Sequence, residues 1–156
     1  MALMRSWLSR TIAERLKVTL DGARQEPLAK TGTKNLETYQ LYLKGRAFLY
    51  RRGGDITRAV AYFEKAVALD PEYALACAGL ADSYTVLGYY GIVRPEDCMP
   101  KALESARRAV AIDPSLAEAH TALAMASLMG AWDRAEAERE FLRALELNPR
   151  YLQARD

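Results

Sequence analysis

The sequence predicts an all-α protein, an α-solenoid of three antiparallel helix-turn-helix repeats with an extra N-terminal amphipathic helix. One observation is a recurring triplet, Leu69-Asp70-Pro71, Ile112-Asp113-Pro114 and Leu147-Asn148-Pro149, whose prolines are spaced 43 and 35 residues apart. Such spacings suit a repeat made of two helices. The other is an apolar ladder ahead of each triplet: Ala59, Phe63, Ala66; Ala102, Ala106, Ala109; Ala137, Phe141, Ala144. Offsets of four and three place each set on one helix face, and the alanines let a neighbouring helix approach closely. A composition of 9 glycines and 6 prolines in 156 residues agrees with a helical chain.

Taken in order, residues 1–33 are expected to form an N-terminal helical segment and linker, and residues 34–156 a repeat domain. Met4, Leu8, Ile12, Leu16 and Leu20 recur every four residues with Trp7 alongside, the stripe of an amphipathic helix. Asp21-Gly22 ends it, Ala23–Lys30 suggests a second short helix, and Thr31–Thr33 links to the repeats. This helix is expected to cap the open end of the stack or to be the remnant of an upstream domain. Filling the concave groove and self-association are the alternatives.

The repeats fall at about 36–70, 71–113 and 114–149, with the start of a further helix at 150–156, so the chain is expected to be a piece of a longer protein. The first repeat has a helix at Leu36–Tyr50, a turn at Arg51–Gly54 and Asp55 as cap of its second helix. Helices are expected again at Tyr73–Leu87 and Leu116–Met129, with Leu80, Ala81, Tyr84 and Leu123, Ala124, Ser127 at matched offsets. At each junction the acid or amide is expected to cap the following helix, with proline at its first position, where no amide hydrogen is needed. The second repeat exceeds 34 residues by nine, and the excess falls in Gly88–Lys101, expected as a long loop displaying Tyr89 and Tyr90. Gly130–Asp133 is the inner turn of the third.

These ladders and triplets resemble the tetratricopeptide repeat over residues 36 to 149, about three quarters of the chain. The motif asks for leucine, a small residue and tyrosine on the first helix, then alanine, an aromatic and alanine on the second, before proline. Lys44 replaces the leucine in the first repeat and Ala106 the aromatic in the second. Lys34–Arg46 and Tyr73–Tyr84 are similar in style to the repeat arrays of multidomain bacterial regulators. The resemblance implies that first helices line a concave face. It assigns to that face Tyr39, Tyr42, Arg46 and Leu49, then Leu75, Ala78, Asp82 and Thr85, then Glu118, Thr121, Met125 and Leu128. A protein or peptide ligand is the implied partner, held by apolar anchors and oriented by Arg46, Asp82 and Glu118. Packing of Tyr39 and Tyr42 against the leading helix is the competing use of those rings. The lysine, asparagine and arginine clamp of chaperone-tail receptors is missing from these positions.

Other function classes find little support. The balance of 22 basic and 20 acidic residues gives a net charge of +2, too even for a nucleic-acid footprint. No apolar run reaches the length of a membrane span, so membrane insertion is not expected. Cys77 and Cys98 form no metal-binding or disulfide pattern, which fits a reducing, cytoplasmic setting. No catalytic, cofactor-binding or metal-binding residue is assigned, and no cofactor is expected. His120, the single histidine, takes a packing position; Gly53-Gly54 lacks a phosphate-loop sequence; Glu136, Glu138 and Glu140 read as a solvated surface. Cys98 is expected in the insertion, open to solvent. A homo-oligomer remains an option for a scaffold of this kind.

Overall fold

The computed structural model describes residues 32–51 and 55–150. The helices expected within residues 4–30 lie outside the described residues, as does the helix expected at 150–156 apart from Arg150. Among the described residues there are six α-helices and no strand: α1 Leu36–Tyr50, α2 Ile56–Leu69, α3 Ala74–Tyr89, α4 Pro95–Ile112, α5 Ala117–Ala126 and α6 Arg134–Leu147. A π-helical turn, Ser127–Ala131, continues α5.

Local chemistry explains the starts. The Asn35 side chain accepts from the Glu37 and Thr38 amides at 2.9 and 3.2 Å and caps α1. Asp55 caps α2 through the Arg58 amide, and Asp133 caps α6 through the Glu136 amide at 2.9 Å. Helix α4 starts on Pro95, with Glu96 and Asp97 in its first turn facing the positive end of the helix dipole.

The repeat junctions differ from the expectation. The acid of the first two triplets does not cap the next helix, and proline is not that helix's first residue. Asp70 and Asp113 instead end α2 and α4, and their carboxylates accept from Glu72 N at 3.2 Å and Ser115 N at 2.9 Å. Asn148 binds the Arg150 amide in the same way. The backbone closes a turn, Tyr73 N to Asp70 O at 3.1 Å and Leu116 N to Asp113 O at 3.2 Å, so proline occupies the second turn position that its fixed φ suits. Tyr73 and Leu116 then precede α3 and α5 without a side-chain cap.

The insertion is also mostly helix, not a long loop. Helix α3 runs on to Tyr89, only Tyr90–Arg94 lie between it and α4, and α4 has 18 residues against 14 in α2 and α6. Cys98 is consequently buried, its thiol donating to the Arg94 carbonyl at 3.3 Å. Burial pushes that thiol up, away from the reactive thiolate.

Helices pair as α1/α2, α3/α4 and α5/α6, and each hairpin stacks on the next. The first helices touch one another, α1 with α3 and α3 with α5, while α2, α4 and α6 have no comparable mutual contact among the described residues. An inner layer of first helices and an outer layer of second helices results. Between them Ala59, Ala66, Ala102, Ala106, Ala109 and Ala144 are completely buried, where a larger side chain would push the rods apart. Lys44, standing in place of leucine, lays its ammonium 5.9 Å from the Tyr62 ring.

Tyr73 is fully buried, edge-on to Tyr42 with centroids 5.4 Å apart, yet its hydroxyl finds no hydrogen-bond partner among the described residues. An unpaired buried hydroxyl is a cost. Tyr73→Phe is therefore expected to leave stability unchanged or raise it by up to about 1 kcal/mol, read from urea denaturation. A loss of more than about 1 kcal/mol would mean that the hydroxyl is satisfied.

Candidate functional site

The inner layer forms a cleft. Helix α1 supplies Tyr42, Arg46, Leu49 and Tyr50, α2 supplies Phe63, α3 supplies Leu75, Ala78, Gly79 and Asp82, and α5 supplies Glu118. Its cavity volume is about 50 Å³, and it opens to solvent. The floor is the Phe63 ring, which reaches between α1 and α3 because Gly45 and Gly79 offer no side chain there.

Of the twelve residues assigned to the concave face, the structure brings seven together here: Tyr42, Arg46, Leu49, Leu75, Ala78, Asp82 and Glu118. Tyr39 stands beside them, half-buried, its ring 6.4 Å from that of Tyr42. Met125 and Leu128 are half-buried farther along the third repeat. Thr85 and Thr121 are each 3% exposed, and their hydroxyls donate to the Ala81 and Ala117 carbonyls. Tyr50, Phe63 and Gly79 join the cleft without having been assigned to the concave face. Two glycines in mid-helix were the available signal, since neither makes a turn and only close approach accounts for both.

The aromatic and charged groups are coupled. Tyr42 packs against Phe63 and Tyr73, with centroids 6.0 and 5.4 Å away. Arg46 places its guanidinium 5.7 Å from the Tyr42 ring and 5.5 Å from the Tyr50 ring, a cation–π arrangement at the cleft wall. Burial pushes the Tyr42 phenol up to about 12, partly opposed by Arg46, so the hydroxyl stays neutral as a donor.

His120 lies in the third hairpin, 6% exposed. Its Nδ1 faces Glu140 Oε2 at 2.6 Å and its Nε2 faces the Pro114 carbonyl at 2.8 Å. Both ring nitrogens are thus engaged in holding helices together. The solvated reading of the alternating glutamates gives way with it. Glu136 and Glu140, four residues apart, share a face: Glu136 accepts from Ser127 Oγ at 2.7 Å, and Glu140 pairs with His120. Only Glu138 of the three is exposed. Among the described residues no cluster of histidine, cysteine and carboxylate groups could hold a metal ion, and no helix is long and apolar enough to cross a membrane.

Stacked hairpins with a cleft along their first helices define a helical-repeat scaffold. The family pattern of the tetratricopeptide repeat matches residues 40–73, and that segment carries one such repeat. It is similar in fold to the first tetratricopeptide-repeat domain of Spaghetti (RPAP3), solved bound to the HSP90 peptide SRMEEVD. That match has a TM-score of 0.61 and 22% identity, covering 79% of this chain and 88% of that one. No curated protein matches the chain.

Proposed function

We propose that the cleft holds an extended or helical peptide segment of a partner protein, and that the chain is an interaction module, not an enzyme. The observation that carries this is the cleft's construction: the half-buried Leu49 and Leu75, backed by the buried Tyr42 and Ala78, lie between the charged groups of Arg46, Asp82 and Glu118. Apolar anchoring with a few orienting charges is how helical grooves hold peptides. The peptide seen on the structurally similar Spaghetti domain supports the reading. Two carboxylates against one guanidinium favour a neutral or basic ligand over an acidic chaperone tail. In the proposed setting the module serves a larger cytoplasmic bacterial regulator, positioning a partner or neighbouring domains.

A random peptide library displayed on phage and selected on the full chain tests this. Selected peptides should bind Leu75→Glu or Asp82→Lys about tenfold to a hundredfold more weakly than the parent, with helical circular dichroism unchanged. Equal affinity for parent and variants would remove the cleft as the binding site.

A further inference from the structure

A second concavity lies where the second and third hairpins meet, between the start of α4 and the π-helical turn. Tyr89 and Trp132 line it together with Pro95, Met99 and Pro100, and the space between them is about 1150 Å³, much of it open to solvent. Tyr89 is 63% exposed and Trp132 79%. Tyr90 and Ile92 on the adjoining turn are exposed too. Large side chains gathered in the open around one trough are unusual for a surface with no ligand.

Two backbone features hold this arrangement. Trp132 has φ 55, in the left-handed region where a bulky residue is strained and glycine would be at ease. The Ser127–Ala131 turn before it is π-helical, a rare local widening that is frequent at functional sites. Both keep an indole on display that core packing does not require.

The chemistry of the walls selects the occupant. The walls are helical except at Trp132, so no strand edge is open to extension. A polyproline II segment needs no such pairing: it arrives preformed, with outward carbonyls and flat pyrrolidine faces. Tyr89 Oη and Trp132 Nε1–H are donors beside apolar rings, matched to those carbonyls and faces. Glu96 is the one charged residue lining the trough among the described residues. A basic residue on the ligand complements that charge. We propose that this trough is a second docking site, for a proline-rich segment carrying arginine or lysine, separate from the inner cleft.

Isothermal titration of the full chain tests it with three synthetic peptides of equal length: repeats of proline-proline-arginine, alanine-alanine-arginine and proline-proline-glutamate. The first should bind and the other two be at least about tenfold weaker. Trp132→Gly, which keeps the left-handed turn, should lose about tenfold or more, and Glu96→Gln a few-fold. Leu75→Glu in the inner cleft should change nothing. Equal binding of both arginine peptides would reduce the effect to charge and overturn the site, as would no binding at all. Loss with Leu75→Glu but not with Trp132→Gly would place the peptide in the inner cleft, which refutes the second site while leaving the first reading intact.

Discussion

Phe63→Ala is expected to lower the free energy of unfolding by roughly 3–5 kcal/mol. The ring is completely buried and stands where two glycines make room for it. A Cβ at Gly45 would come within 2.8 Å of Phe63 Cε1, and one at Gly79 within 2.5 Å, closer than carbon atoms pack. Removing the ring leaves a hole that neither glycine can refill, and Tyr42 loses the neighbour 6.0 Å away that holds it at the cleft wall. The converse change, Gly79→Ala, should cost about 1–3 kcal/mol by overpacking. Because both act on one contact, Gly79→Ala combined with Phe63→Leu should cost less than the sum of the separate changes. Urea denaturation followed by circular dichroism measures all of these. If Phe63→Ala and Gly79→Ala each cost under about 1 kcal/mol, the close approach of α1, α2 and α3 is not a source of stability.

What could be read in the sequence was whatever depends on helical periodicity alone. The ladder Ala59, Phe63, Ala66 is wholly buried, and Leu36–Tyr50 forms a helix with the expected boundaries, because a face repeating at offsets of three and four is a property of one segment. Features that depend on two segments were not legible. Thr85 and Thr121 were assigned to the inner face from the spacing in their own helices, yet both are buried. Pro95 and Pro100 read as a loop, although proline near a helix start is compatible with helix, and α4 contains both. Cys98 was carried into the core by that same extension. The junctions misled for a related reason: an aspartate can accept from an amide two residues on in a turn as readily as from the start of a helix. The cleft was half legible, since side-chain spacing identifies a face but not how closely the next helix crosses it.

Removing the His120 ring is expected to destabilise the third hairpin more than its small area implies. Glu140 and His120 have side chains only 13% and 8% exposed, and they meet at 2.6 Å across α5 and α6. His120→Leu strips that carboxylate of its closest partner and the Pro114 carbonyl of a donor in the same step. Loss of one member costs about 3–5 kcal/mol for a buried ion pair and about 1–3 kcal/mol for a neutral hydrogen-bonded one. Here Arg139 Nε, 3.4 Å from the other Glu140 oxygen, offers partial compensation, but its side chain is 66% exposed and such a contact is weak. A cost of about 2–4 kcal/mol follows for the single change. The double variant His120→Leu with Glu140→Leu removes both polar groups and fills the space with apolar atoms, so it should lie within about 1–2 kcal/mol of the parent. A favourable coupling of this size between positions 120 and 140 marks a partnership that knits α5 to α6, whereas additive losses would mean that the two residues act independently of one another. Ser127, bonded to Glu136 one turn away along α6, makes a second tie of the same kind. The third hairpin, whose inner turn carries the strained Trp132, is thus held by side-chain hydrogen bonds where the first is held by the Phe63 ring.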